Sequence, residues 1–320
     1  MRLLGGLSTG GRGGCYAVGR VLASIGRMLI DDVFASHGGV ATARQLSAVM
    51  SRKTLAGHLR AGVIVRVWHG VYSLGPPDTA RRLAALDVLV GRPVVACLHT
   101  AADLHGFRTE GPGPVHILDP GVRMRPTVGL MVHQRVGAPL RRVAGRLVTA
   151  PAWTAVEIAR TLNRPRALAT LDAALHVGAC APADLVRAVD EQKGRRGIVK
   201  VRELVAYVDG RSESPMESET RLVFIDGGLP RPEVQFEIVD RCGQLWRADF
   251  AWPAAKVVAE YESMEWHANA VALRHDRMKT ARLQECGWTV IPIVVDDVRH
   301  HPLDLVAGIA THLERADMAG

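Results

Sequence analysis

Two short runs near the C-terminus, LWRADFAW (245–252) and VVAEYES (257–263), constrain the fold of this chain more than any other feature. Only Pro253-Ala254-Ala255 and Lys256 lie between them. With Ala254 and Ala255 as the turn of a hairpin, Asp249 falls directly opposite Glu260, at the roughly 5 Å Cβ spacing of cross-strand neighbours. Glu262, two residues on, points to the same face as Glu260. One face then carries Trp246, Ala248, Phe250, Trp252, Val257, Ala259 and Tyr261 and predicts a core-facing surface. The other carries Leu245, Arg247, Asp249, Ala251, Lys256, Val258, Glu260 and Glu262, read as the solvated side. A one-residue slip would drive the carboxylates into the core, so the pattern pins the register. Like charges this close repel, and a cation bound by oxygen ligands, Mg²⁺ or Mn²⁺, resolves the repulsion. The plain alternative is an acidic, solvated sheet face with no ligand.

The chain of 320 residues is long enough for two or three domains. No uninterrupted apolar run is long enough to span a bilayer, so no membrane partner is expected. Five scattered cysteines with no CxxC pair predict reduced thiols in a cytoplasmic protein rather than structural zinc. The net charge of +8 is unevenly spread. Residues 211–320 hold 12 basic and 18 acidic side chains, and everything before them is net basic. A basic balance favours a polyanionic partner, DNA or RNA before membrane. Residues 1–28 are Gly-rich and basic, and read as a disordered extension or a start called too early.

Residues 29–75 predict three short helices and a hairpin. Ile30, Val33 and Phe34 share one helical stripe. Thr42 caps a second helix with Leu46 and Val49 inward, and Ser51 caps a third with Leu55 and Leu59 inward. VIVRVWHGVYSLG then reads as a β-hairpin turning at His69-Gly70. This is the order of a winged helix-turn-helix. Its third helix, bearing Arg52, Lys53, Thr54, His58 and Arg60, would enter the major groove of double-stranded DNA, with Arg66 and His69 near phosphates on the wing. The segment VATARQLSAVMSRKTLAGHLRAGVIVRVWHGVYSLG resembles the N-terminal domain of AbiEi-type antitoxins and related regulators of phage-defence loci. That resemblance implies operator binding and autoregulation, with a cognate toxin as partner.

Residues 76–210 read as a mixed, mainly helical middle domain. Helical stretches fall at 79–90, 98–105, 152–162, 165–177 and 182–189, and strand-like runs at 115–118 and 130–134. HTAADLHGF (99–107) and RLVTAPAWTAVEIAR (146–160) resemble segments that follow the winged helix in the same antitoxin-like family. His99, His105, His116 and His133 lack metal-ligand spacing and read as structural.

Residues 211–320 predict the order αβββαβ: a helix capped by Ser214 with Pro215 first, a three-strand meander, a helix over about 270–286, the strand TVIPIVV, and a terminal helix at 302–316. Glu217, Arg221, Gly228-Leu229-Pro230, Gln235, Gly243, Asp249, Trp252-Pro253, Glu260-Tyr261, His267, Asp276, Arg277, Leu283 and Gly287-Trp288 together resemble the PD-(D/E)XK nuclease superfamily, in its group related to very-short-patch-repair endonucleases. The resemblance covers 212–297. It implies an α/β restriction-endonuclease-like fold and Mg²⁺- or Mn²⁺-assisted phosphodiester hydrolysis. Asp249 and Glu260 would hold the metal with Glu217 as outer or third ligand, His267 would act as acid or base, and Lys256 or Lys279 would stabilise developing charge. The chain departs from the pattern where E-x-K should end in lysine: Glu262 stands there, followed by Ser263. The sequence therefore supports a DNA-binding endonuclease, or an antitoxin-like transcriptional repressor whose nuclease fold is degenerate. An RNA-directed protein has only the charge in its favour.

Overall fold

A computed structural model of the chain describes residues 30–319 apart from 108–110, 112, 125–126, 135–136 and 263–269. The extension expected at 1–28, and His267 with Ser263, lie outside the described residues. The chain divides into two compact units. One takes the chain up to Ala96 together with Pro114–Arg135; the other takes Cys97–Gly113 and Val136–Gly320. No helix among the described residues is long and apolar enough to cross a membrane. Cys97, Cys180, Cys242 and Cys286 are free thiols.

In the first unit, α1 (residues 30–35) precedes β1 (Val40–Thr42), α2 (Ala43–Val49), α3 (Arg52–Arg60), β2 (Ile64–Trp68) and β3 (Val71–Leu74). The expected caps are present. Thr42 and Gln45 form a reciprocal capping box at the start of α2, and Ser51 Oγ accepts the Thr54 amide at the start of α3. The expected apolar stripes meet in one cluster of Phe34, Ala41, Leu46, Ile64 and Tyr72, with Ile30, Val33, Leu55 and Leu59 against it. The strands form one antiparallel sheet in the order β1-β3-β2. Helix α4 (Thr79–Val90), capped by Asp78, belongs to this unit. So do the parallel strands β4 (Val115–Leu118) and β5 (Leu130–His133).

The second unit begins with α5 (Leu98–His105) and a hairpin of β6 (Leu140–Val143) and β7 (Arg146–Thr149). Helices α6 (Pro151–Ala159), α7 (Arg164–His176), α8 (Pro182–Glu191) and α9 (Ile198–Leu204) follow. Helix α6 is buried all round, Glu157 included. That carboxylate survives burial because Arg195 (3.3 Å) and Arg160 (3.6 Å) pair with it. Arg195 also covers the ring of Trp153.

The rest of the unit runs α10 (Pro215–Asp226), β8 (Glu233–Val239), β9 (Leu245–Trp252), β10 (Val257–Tyr261), α11 (Ala270–Glu285), β11 (Thr289–Ile293), α12 (Val295–Arg299) and α13 (Pro302–Ala319). The αβββαβ order expected from the sequence is present, with α12 as an added turn. The sheet order is β11-β10-β9-β8, antiparallel except for the parallel β10–β11 pair. Ser214 caps α10 with Pro215 at its first position, as expected. The β9–β10 register is also the expected one: Trp252 faces Val257, Ala251 faces Val258 and Phe250 faces Ala259.

The expected division of faces needs correction. Phe250, Trp252, Val257 and Ala259 pack on the α10 side with Phe224. Trp246 and Ala248 instead pack with Ala251, Val258 and Leu283 of α11, and Trp246 lies 5.3 Å from the His275 ring. The even-numbered residues of β9 thus change sides between Ala248 and Phe250, at Asp249. The supposed solvated face is covered as well, since Ala251 and Val258 are fully buried. Helix α11 provides the cover, which an alternation pattern within two strands cannot report.

Candidate carboxylate site

The change of sides at Asp249 has a counterpart on the neighbouring strand. Gln235 of β8 would face Asp249 by register, but the pairing skips from Val234–Phe250 to Phe236–Ala248. Gln235 holds φ +55°. A non-glycine residue in this left-handed region costs on the order of 1–3 kcal/mol and tends to mark functional positions. Here the distortion brings the Gln235 amide to Glu217, with Nε2 donating to Oε2 at 2.8 Å. The Glu213 amide donates to the same oxygen at 2.9 Å. Glu217 sits in the first turn of α10, where the positive helix end favours a carboxylate.

Asp249 Oδ2 accepts the Tyr261 amide at 2.8 Å, which ties β9 to β10 beyond their last paired residues. Glu260 Oε2 accepts from Lys279 Nζ of α11 at 2.6 Å. Its other oxygen, Oε1, is buried without a hydrogen-bond partner. Glu217 is thereby bonded to Gln235, Glu260 to Lys279 and Asp249 to the Tyr261 amide.

The electrostatics follow from burial. Glu217 is pushed above the ordinary carboxylate range by burial first, opposed by the Glu213 amide, with the Asp249 charge raising it further. Burial also raises Asp249, against the Tyr261 amide and Lys279. Glu260 is pushed up to about 7, by burial first; Lys279 opposes the shift and the Asp249 charge adds to it. The Asp249 charge thus disfavours ionisation of both Glu217 and Glu260, which a bound cation would relieve.

The donor set suits a hard divalent ion, and the orphaned Glu260 Oε1 is the observation that supports a fit. Among the described residues, no three His, Cys, Asp or Glu side chains already converge as a metal-binding group. Glu262 is exposed past the end of β10, its amide bonded to the Ile293 carbonyl.

Several motif residues prove to serve the scaffold. Trp252 Nε1 donates to the Pro230 carbonyl at 2.8 Å, joining the Gly-Leu-Pro turn to β9. Arg221 leaves the site altogether and pairs with buried Asp172 of α7 at 2.5 Å. The bond from Gln235 to Glu217 emerges only in three dimensions, whereas the structure selects Lys279 over Lys256 as the lysine that pairs with Glu260. No role for Gln235 is legible in the sequence, and Lys279 is there one of two candidates.

In the first unit, Arg52, Lys53, Thr54 and Arg60 lie exposed on α3 and His58 is half-buried. Arg66 and His69 are exposed on the β2–β3 hairpin, and the Arg66 guanidinium lies 5.8 Å from the Tyr72 ring centre. The middle histidines are paired locally: His116 Nδ1 and His133 Nε2 are 2.9 Å apart, and His105 Nε2 is 2.9 Å from the Thr149 carbonyl.

Comparison with known proteins adds two findings. Residues 94–207 match the AbiEi antitoxin C-terminal domain, the region that holds α5 to α9. Two proteins of Mycobacterium tuberculosis are each 61% identical over 271 residues, covering 85% of this chain and 100% of the relative. They are uncharacterized protein MT2308 of strain CDC 1551 / Oshkosh and uncharacterized protein Rv2248 of strain ATCC 25618 / H37Rv. The chain belongs to the family of these two mycobacterial proteins, and its middle region is AbiEi antitoxin-like.

Proposed function

We propose that this protein is a DNA-binding regulator of the AbiEi antitoxin type. The observation that carries the reading is the match of residues 94–207 to the AbiEi antitoxin C-terminal domain. Ahead of it stand two capped helices and a hairpin in winged helix-turn-helix order. The first turn of α3 holds Arg52 and Lys53 and no acid. Cations at a helix N-terminus oppose the macrodipole by about 0.3–1 kcal/mol, a cost that a phosphate at the same place relieves. In this reading double-stranded operator DNA is one partner and a cognate toxin the other. The test is a reporter driven by the protein's own upstream DNA, together with a gel-shift assay. Repression and binding lost in Arg52→Ala/Lys53→Ala support the reading. Full repression by that variant would count against it.

A second reading, a Mg²⁺- or Mn²⁺-dependent DNA endonuclease of PD-(D/E)XK type, is favoured by one feature, the unsatisfied buried Oε1 of Glu260 beside Asp249. Asp249 and Glu260 would hold the ion, with Glu217 near them and Gln235 fixing the orientation of Glu217. A bound divalent ion supplies a polarised phosphate and a more acidic water. Metal-dependent nicking of plasmid DNA that disappears in Asp249→Ala and Glu260→Ala would decide for this reading. Mn²⁺ titration without binding would decide against it.

A further inference from the structure

We propose that a cleft beside the β2–β3 hairpin binds a small apolar carboxylic acid, and that filling it weakens the hold of the wing on DNA. The coupling to DNA rests on the regulator reading; the cleft itself does not.

The cleft, of about 340 Å³, lies wholly in the first unit and is of a size suited to small ligands. Trp68 and His69 of the hairpin line it on one side, Leu86 and Leu89 of α4 on another, and Arg123 and Met124, between β4 and β5, on a third. These walls are pinned by polar bonds. The pairing of β2 with β3 slips between Arg66 and Trp68, and such an irregularity re-aims the side chains beside it. Trp68 is buried, with Nε1 donating to the Arg82 carbonyl at 2.9 Å and the Arg82 guanidinium 5.4 Å from its ring centre. Arg82 in turn donates to the Gly129 carbonyl at 2.7 Å, and Arg92, just past α4, donates to the Pro120 carbonyl. Both ends of the β4–β5 connection are thus tied to α4 and the residues after it.

The lining specifies the ligand. Leu89 and Val122 are 46% and 47% exposed, apolar area that an apolar body would take from water. No aspartate or glutamate stands among the described residues of the lining. Arg123 is exposed and pairs with no acid among the described residues. A guanidinium receives a carboxylate through two parallel hydrogen bonds, so one carboxylate on an apolar body matches the cleft and a cation does not. The sign of the coupling follows from His69, which belongs to both the cleft and the wing. A carboxylate held there competes with a DNA phosphate for His69 and sets a negative charge beside the wing. Ligand and DNA therefore weaken each other by the same factor.

The test uses the full chain with phenylacetate, octanoate and the neutral phenylacetamide. Binding is read by calorimetry and saturation-transfer NMR, DNA affinity by fluorescence anisotropy on the protein's own upstream DNA, and folding by thermal melting. At least one of the two acids should bind with Kd of about 1 mM or tighter, and the amide about tenfold more weakly. Saturating acid should weaken DNA binding on the order of tenfold. Arg123→Gln should lose the preference for acid over amide, and Arg123→Lys should recover part of it. Leu89→Trp, at a half-exposed position, should fill the cleft, abolish acid binding and keep DNA binding. Should Leu89→Trp not fold, Arg123→Gln decides: an unchanged preference for the acid overturns the inference. No binding of either acid to wild type that does bind DNA overturns the inference and leaves the regulator reading standing. Equal acid binding by a folded Leu89→Trp also overturns it, and acid binding that leaves DNA affinity unchanged overturns the coupling. Wild type that binds the acid but not DNA overturns the regulator reading and the coupling, while supporting the cleft as a binding site.

Discussion

Glu260 makes a quantitative test possible because its folded-state pKa is raised from 4.5 to about 7. A raised pKa means that folding favours the protonated carboxyl. The associated stability is fully present below the unfolded value and is lost as pH rises through the folded value. Between pH 5 and pH 8 the loss amounts to about 2–3 kcal/mol, since each tenfold change in proton affinity is worth about 1.36 kcal/mol. Glu260→Gln keeps the shape, and its amide keeps an acceptor oxygen for Lys279, but it has no proton to lose. Urea unfolding of both proteins at several pH values isolates this group, since contributions shared by both cancel in the difference. Wild type should lose about 2–3 kcal/mol more than Glu260→Gln over this range. Millimolar Mn²⁺ should restore part of that loss at pH 8 in wild type only, because it binds the ionised site. Parallel pH profiles for the two proteins would refute the assignment of a strained carboxyl to Glu260.

Other consequences are equally direct. Arg221→Met strands Asp172, whose pKa is raised by burial and held down by Arg221. Calorimetry should show a loss of about 3–5 kcal/mol near neutral pH that shrinks in acid, where a protonated Asp172 no longer needs its partner. At Gly197, φ is +82° and an added Cβ would meet the Arg160 carbonyl oxygen at 2.1 Å. Gly197→Ala should therefore lower the melting temperature by several degrees, corresponding to more than about 1 kcal/mol. If α3 contacts DNA, Arg52→Ala/Lys53→Ala should flatten the dependence of log K on log salt by about 0.9 per phosphate contact removed, measured by fluorescence anisotropy.

The sequence was most legible where chemistry and period agree. Thr42, Ser51 and Ser214 all cap the helices that follow them, as expected. The β9–β10 register follows from placing the turn at Ala254-Ala255 and holds at every paired residue. The β6–β7 hairpin is hard to see in the sequence for a physical reason. Its strands are short and carry Arg141, Arg142 and Arg146 without a clear period, and its turn uses Ala144 at φ +47° before Gly145. Ala is a rare choice where positive φ is needed, so the usual Asn-Gly signal is missing. The side-switch at Asp249 is hidden for a deeper reason. It coincides with the positive φ of Gln235 on a different strand, and no pattern within 245–252 encodes it.

The same geometry explains how the C-terminal sequence resemblance can be dense without certifying catalysis. Trp252 holds Pro230, Gly243 supplies the positive φ of the β8–β9 turn, and Leu283 and Trp288 fill the cluster under α11. Arg221 bonds to α7 rather than to any carboxylate of the site. Each is retained by a protein that keeps this scaffold, whether or not it cleaves anything. Glu217, Gln235, Asp249, Glu260 and Lys279 are different. Their arrangement sets one residue at positive φ, raises three carboxyl pKa values and leaves Glu260 Oε1 unsatisfied. A fold kept only as a scaffold has no need of that strain, since apolar replacements of these groups would stabilise it. The stability of a Glu217→Leu/Asp249→Leu/Glu260→Leu/Lys279→Met protein therefore bears on function. A gain over wild type in metal-free buffer would show that the cluster is maintained against stability, and a loss would show that it serves the scaffold.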